Sequence, residues 1–320
     1  SEKGGALGAP LWDADGVAKA QGRLAYADDI ELPGTLYGSP VWSEHAHARI
    51  LSVDTAAAQA LPGVAGVITA ADVPGKNAYG ILTADQPVFC DKEVNFCRDV
   101  VALAVAASPE EAKAAAAAVK VEYEALPAVF DMLEAKAKGH IHKELSHTVG
   151  DPDKAALEPG LLTLSGHFST PCVEHAYLEP EACSASYDSQ EGLTVYAPTQ
   201  SPFELRRVLS GVMDLPQENI RVIATPIGGG FGSKADPYLE AAAAVASCRL
   251  GRPVKITLSR EESLGASAKR HPYEMDYEVG LDREGRLRYF KAELLSDGGP
   301  YMNLSARVID QACIFSVGPY

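Results

Sequence analysis

Between a strand-like run, Ile220–Ala224, and an Ala-rich stretch near Tyr238, the chain carries Gly228-Gly229-Gly230-Phe231-Gly232-Ser233. Glycines let a backbone approach a ligand closely, and the N–H groups of such a loop and of a following helix can hold an anion. The other use of such a segment is a tight strand–helix turn, although three consecutive glycines and a fourth two residues on exceed what a turn needs. The order Gly232-Ser233-Lys234 lacks the spacing of a phosphate-binding P-loop. Gly230-x-Gly232-x-x-Ala235 meets the dinucleotide fingerprint, with Glu261 as its ribose partner, but Asp236-Pro237 interrupts the helix start that the fingerprint requires.

Histidines and cysteines are the other metal-capable residues. His45-x-His47 and His140-x-His142 each present two rings on one side of an extended segment, which a metal can use. Few carboxylates adjoin either pair, so solvated loop histidines are the stronger reading. Six cysteines stand at positions 90, 97, 172, 183, 248 and 313, with no C-x-x-C pair among them. Their spacing supports neither a zinc ribbon nor an iron–sulfur cluster, and most are expected to be buried thiols that pack as small hydrophobes.

These candidates need elements to hold them. Asp54 is placed to cap a short helix running to Ala60, stopped by Pro62-Gly63 before a strand over Val64–Thr69. Val100–Ala106 reads as a buried strand. Ser108-Pro109-Glu110-Glu111 reads as a capping box that opens an Ala-rich helix to about Ala118. Val119, Val121 and Tyr123 alternate with charged residues in a half-buried strand. The polar segment 131–160, broken by Gly139, Gly150, Pro152 and Pro159, reads as a linker.

Beyond the linker, Ser201-Pro202-Phe203-Glu204 predicts a second capped helix ending near Gly211. The strand Ile220–Ala224, an Ala-rich helix from Tyr238 to about Cys248 and a strand over Val254–Leu258 follow. Alternation at Tyr273, Met275, Tyr277 and Val279, then a turn at Asp282–Gly285 into a strand over Arg286–Leu295, adds a hairpin. A hairpin after α/β units makes the fold class α+β.

Composition bounds the partners. At 320 residues the chain exceeds one ordinary domain, and its net charge of −15 argues against nucleic acid or an acidic membrane surface. The longest apolar run, Val100–Ala107, is far short of the roughly 20 residues that span a bilayer. No basic segment followed by an apolar one opens the sequence, so a cytoplasmic protein acting on a small molecule is the expectation.

Read in order, the motifs resemble the molybdenum-binding subunit of the xanthine dehydrogenase and aldehyde oxidase family. In the second half these are Glu174-His175-Ala176-Tyr177-Leu178-Glu179-Pro180, Pro198-Thr199-Gln200, the glycine segment through Lys234, Gly251-Arg252-Pro253-Val254, Ser259-Arg260-Glu261-Glu262 and Lys269-Arg270-His271-Pro272. In the first half, Gly22–Asp29, His47-Ala48-Arg49-Ile50, Leu61-Pro62-Gly63-Val64 and Tyr123-Glu124-Ala125-Leu126-Pro127 resemble the family's α/β-hammerhead domain. Gly75-Lys76-Asn77, Gln86–Asp91 and Ser296–Tyr301 look most like the aldehyde oxidoreductases of anaerobic bacteria.

The resemblance implies an N-terminal extension at 1–14, a hammerhead domain over 15–130, the linker over 131–160, and the first part of a molybdopterin-binding domain over 161–320. It also implies a molybdopterin cofactor that inserts water-derived oxygen into an aldehyde, with electrons leaving through [2Fe-2S] clusters and FAD on partner domains or subunits. Gln200 matches the glutamine that approaches a molybdenum oxygen. Gly230, Phe231 and Gly232 match the loop that borders the metal's ligands. Where purine hydroxylases carry a substrate-contacting glutamate this chain has Ala235, which counts against xanthine, and Ser233 replaces a common glycine. In the family pattern the glutamate base lies beyond residue 320. The resemblance therefore implies that the rest of the molybdopterin domain or a second molybdenum subunit, an iron–sulfur subunit and an FAD subunit complete the enzyme. The chain alone is expected to be inactive, with an exposed apolar patch at Ile314, Phe315 and Val317. The rival readings are a hydroxylase of xanthine or another N-heterocycle, an NAD-dependent dehydrogenase and a non-catalytic scaffold.

Overall fold

The computed structural model describes residues 13–318, so positions 1–12 of the expected N-terminal extension and the last two residues lie outside it. Its thirteen strands are β1 (Leu36–Trp42), β2 (Ala48–Asp54), β3 (Val64–Ile68), β4 (Glu93–Val94), β5 (Val100–Ala106), β6 (Lys120–Ala125), β7 (Leu162–Thr170), β8 (Ala182–Asp188), β9 (Gly192–Ala197), β10 (Ile220–Ala224), β11 (Val254–Thr257), β12 (Tyr273–Leu281) and β13 (Leu287–Ser296).

A seven-stranded mixed sheet in the order β10-β9-β8-β11-β1-β5-β3 is the frame. The join is the parallel pairing of β1 with β11, Leu36 opposite Val254. The sheet and its core therefore cross the 131–160 segment. The apolar run of β5 needs cover on both faces. Ala102 and Ala104 pack with Ala115 of the helix Pro109–Ala118 and with Val41 and Val67. Leu103 and Val105 point the other way, into the core built by the helices Pro202–Met213 and Glu240–Leu250. Ser108 caps the helix Pro109–Ala118, its Oγ accepting the Glu111 N–H at 3.3 Å.

Three local expectations are corrected. The helix expected to end near Gly211 continues to Met213 and stops at Asp214, whose φ is +51°. Val212 and Met213 are buried in the core, so tertiary packing carries the helix past its glycine. Ser201 makes no side-chain cap there, and Glu204 pairs instead with Arg207 at 2.8 Å. The segment 131–160 holds two short helices, Met132–Ala137 and Pro152–Ala156. Asp131 and Asp151 cap them by accepting the Glu134 and Lys154 N–H groups.

The sheet β13-β12-β7 is antiparallel and stands apart, and β4-β2-β6 forms a small third sheet. In the helix Ser305–Phe315, Ile314 and Phe315 are exposed and Val317 beyond it is half-buried. No helix among the described residues is long and apolar enough to cross a membrane.

Candidate functional site

The glycine segment leaves β10 and is held against the irregular stretch before β8, chiefly by Glu179. The Glu179 N–H donates to the Gly228 carbonyl at 3.2 Å, and its Oε2 accepts the Gly228 N–H at 2.7 Å and the Lys234 ammonium at 2.8 Å. Lys234 also donates to the Glu179 carbonyl at 2.8 Å and sits 4.6 Å from the centre of the Tyr177 ring. Both side chains are buried, at 3% and 10% exposure. An ion pair withdrawn from water persists only when such additional contacts satisfy it.

The loop's backbone depends on close approach. A Cβ on Gly229, whose φ is +98°, would lie 2.8 Å from Tyr177 Cβ, and one on Gly230 would lie 2.7 Å from Gln200 Oε1. Phe231 is held at φ +52° with its side chain largely exposed. Gly232, at φ +108°, has nothing within 4 Å of a Cβ position, so a side chain there meets a conformational obstacle, not a steric one.

Gln200 comes from the turn between β9 and the helix Pro202–Met213. Its N–H donates to the Lys234 carbonyl at 2.8 Å, and its Oε1 accepts the Gly232 N–H at 3.1 Å. The Nε2 donors of Gln200 have no partner among the described residues. The structure thus joins Gln200 to Gly230 and Gly232, with Phe231 between them in the chain. Ala235 donates its N–H to the Gly232 carbonyl at 3.1 Å and closes a short turn, Ser233–Ala235.

A cavity of about 570 Å³ opens beside this loop. Gly232, Ser233 and Lys234 belong to its wall, together with Glu181, Asp236 and Tyr238; Gln200, Phe231 and Ala235 do not. Burial pushes the Asp236 carboxyl up to about 6, against a hydrogen bond with Asn303 that favours the ionised form. The Tyr177 hydroxyl is pushed up to about 12 by burial and by the Glu181 carboxylate to which it donates. For Glu174, burial opposes ionisation, but the Lys269 ammonium and the Ala176 N–H outweigh it and hold the carboxyl low.

A molybdopterin cofactor presents anionic oxygen and sulfur ligands at its metal end, which suit neutral N–H donors. The residues here fit. Gln200 has free donors, Gly229 and Gly230 leave the room that side chains would fill, and Lys234 neutralises Glu179. The dinucleotide alternative fits less well. A short turn follows the loop, the helix begins only at Glu240, and Glu261 lies in the first turn of another helix, Arg260–Ala266.

Sequence reading assigns Glu179, Lys234 and Tyr177 no role, although it includes the motifs that contain them. The signal available is a glutamate flanked by Leu178 and Pro180 and a lysine flanked by Ser233 and Ala235, which must pair if buried. Three of the four histidines in the two pairs have other contacts. His45 lies 4.8 Å from the Tyr123 ring, His47 bonds Pro127 and Glu93, and His142 reaches the Gly299 carbonyl. No three His, Cys, Asp or Glu residues could hold a metal ion directly, among the described residues. The cysteine expectation is corrected: Cys90 and Cys183 are buried, but Cys97 and Cys172 fall in irregular segments and are exposed.

Comparison with known proteins follows the same two stretches. A molybdopterin cofactor-binding domain matches residues 133–320, and an aldehyde oxidase and xanthine dehydrogenase a/b hammerhead domain matches residues 21–127. The chain is 34% identical to the nicotinate dehydrogenase large molybdopterin subunit of Eubacterium barkeri, over 98% of this chain and 76% of that one. It is 32% identical to the xanthine dehydrogenase molybdenum-binding subunit of Escherichia coli, over 90% of this chain but only 41% of the relative. The aldehyde oxidoreductase of Desulfovibrio gigas superposes with a TM-score of 0.84 at 29% identity, covering 91% of this chain and 34% of its own. The chain thus spans from about a third to three quarters of the length of these relatives.

Proposed function

The chain belongs to the aldehyde oxidase and xanthine dehydrogenase family, and from that membership we propose that it supplies the metal-facing loop of a molybdenum hydroxylase that oxidises aldehydes. The observation that carries this reading is the bond from the Gly232 N–H to Gln200 Oε1, which turns two separate family motifs into one constellation. The cofactor, when bound, would supply insertion of water-derived oxygen and uptake of two electrons.

The chain's own residues bind and position. Gln200 would direct its Nε2 donors to the cofactor's oxygen ligands, and the backbone of Gly230, Phe231 and Gly232 would border the metal. The Lys234–Glu179 pair fixes the loop so that these groups need no rearrangement on binding. Ala235 offers no side-chain donor or acceptor, which favours an aldehyde over a purine. Electrons would pass to a [2Fe-2S] subunit and on to an FAD subunit, the remaining molybdopterin-binding segments would come from the rest of the enzyme, and the complex would work in the cytoplasm.

Metal analysis of the protein purified with its partners tests the reading. Molybdenum is expected in near-stoichiometric amount. Gly232→Val should abolish loading while far-ultraviolet circular dichroism stays that of the wild type, because the φ of +108° excludes a β-branched residue locally. Bound NAD without molybdenum, or neither, would sink it. Assays with aldehydes and N-heterocycles on the loaded complex decide the substrate class.

A further inference from the structure

Four buried side-chain atoms that lack a hydrogen-bond partner belong to residues on the wall of the 570 Å³ cavity: His175 Nδ1, Glu181 Oε2, Asp236 Oδ1 and the Tyr238 hydroxyl. Unpaired buried polar atoms are costly and uncommon. Their concentration around one cavity marks a place where partners arrive from outside the chain. Leu239, Pro272, Tyr301, Leu304 and Val308 make much of the remaining wall apolar, the mixture found in small-molecule pockets.

The charges decide what kind of molecule fits. Of the cations on the wall, Lys234 is taken by Glu179 and Lys269 by Glu174, while Arg270 is exposed and donates to the Pro171 carbonyl. Of the acids, Asp297 accepts the Gly299 N–H and Glu240 accepts the Tyr238 N–H. Glu181 accepts the Tyr177 hydroxyl on Oε1 only, and neither it nor Asp236 has a cationic partner among the described residues. Two of the four unpartnered atoms are carboxylate oxygens that only accept, and the uncompensated charge on this wall's acids is negative.

We propose that this cavity binds a small molecule with an apolar ring and a hydrogen-bond-donating end, of amide or amidinium type, and that it rejects carboxylates. Donor N–H groups would offset the negative charge of Glu181 and Asp236, which no cation among the described residues balances. A carboxylate would face two acids that have no cationic partner among the described residues, and Arg270, the wall's one cation without a carboxylate partner among the described residues, is exposed to solvent. The consequence for catalysis rests on the hydroxylase reading: beside Gly232 the pocket would hold an aldehyde whose ring carries an N–H or O–H donor, and would expel the carboxylate product.

The test uses the full chain as purified, with any partner subunits, titrated calorimetrically at neutral pH with benzamidine, benzamide and benzoate. These probes share one ring and nearly one size. Benzamidine and benzamide are expected to saturate, with benzoate at least about tenfold weaker. Glu181→Gln combined with Asp236→Asn, both isosteric, should bring the three within about threefold of one another. Benzoate binding as tightly as benzamide, saturation by none of the probes, or an unchanged ranking in a folded double variant would overturn the proposal. The wild-type ranking decides by itself if the double variant fails to fold. Molybdenum measured in the same sample separates the two readings: selectivity without molybdenum sinks only the hydroxylase, and molybdenum without selectivity sinks only the pocket.

Discussion

The seven-stranded sheet and the sheet β13-β12-β7 obey the same two-residue alternation, but only the first is covered. In β5 both sets of alternating side chains are buried. In the smaller sheet, Leu162, Leu164 and Phe168 share a face with Met275, Tyr277 and Val279 and with Phe290 and Leu294. Phe168, Tyr277 and Phe290 form a row with ring centres 5.9 and 5.7 Å apart. Leu162, Leu164 and Phe168 nonetheless remain more than half exposed. The opposite face carries the polar set, with Lys291 and Glu293 paired to Asp153 and Lys136 of the 131–160 segment. Alternation therefore specifies which residues share a face, while cover determines what that face contributes to stability.

The widest gap between the two regions should come from charge. Lys234→Ala leaves the Glu179 carboxylate buried and unpaired, and should cost about 3–5 kcal/mol in urea unfolding. Arg286→Ala, in the exposed turn of the small sheet, also breaks pairs, with Asp282 and Glu284, but should cost less than about 1 kcal/mol. Equal costs would remove the distinction. Next come the apolar residues. Leu103→Ala opens a cavity in a fully buried core and should cost about 2–5 kcal/mol, whereas Leu164→Ala should fall within about 0.5 kcal/mol of wild type. A large loss at Leu164 would mean that its face is covered in solution.

The same contrast explains what could be read from the sequence. The β5 run, the Ser108 cap and the β12–β13 hairpin were legible because each rests on a short-range rule: apolar periodicity, capping geometry, turn chemistry. The glycine loop and Gln200 were legible through motif order. The same order implies that Gln200 faces the loop, but not the particular bond to Gly232, because the two are brought together by β8, β9 and β10 pairing across the sheet. The same holds for the parallel join of β1 and β11 and for the Lys234–Glu179 clamp, whose partners are 55 residues apart. The extension of the helix to Met213 depended on burial that no local pattern encodes.

Titration sharpens the comparison further. Asp236 moves from 3.8 to about 6 because burial disfavours its charge. An acid whose folded value is raised penalises the native state at high pH; the penalty is absent below the unfolded value, grows through the window up to about 6 and is then constant. Asp236→Asn should accordingly leave stability unchanged near pH 4 and raise it above pH 6, by at most about 3 kcal/mol. A flat difference between the two proteins across that window would show that Asp236 is solvated.

The smallest effect is expected at His167, on the polar face of the small sheet. Its Nδ1 lies 2.8 Å from Asp276 and its Nε2 lies 2.8 Å from Glu274, and the ring's pKa is raised chiefly by the hydrogen bond to Asp276. A base raised in this way stabilises the fold below its unfolded value of 6.5, and that contribution disappears as pH rises through the higher folded value. His167→Gln should therefore lower the melting temperature slightly at acidic pH and not at all at alkaline pH, so its effect shows at the opposite end of the pH range from that of Asp236→Asn, although both groups favour the native state less as pH rises. Water surrounds this ring, so added salt should erase most of the difference, whereas the Asp236 effect should survive it. Salt-resistant destabilisation by His167→Gln would mean that something covers this face too, and the contrast between the two sheets would then fail on both sides of the smaller one.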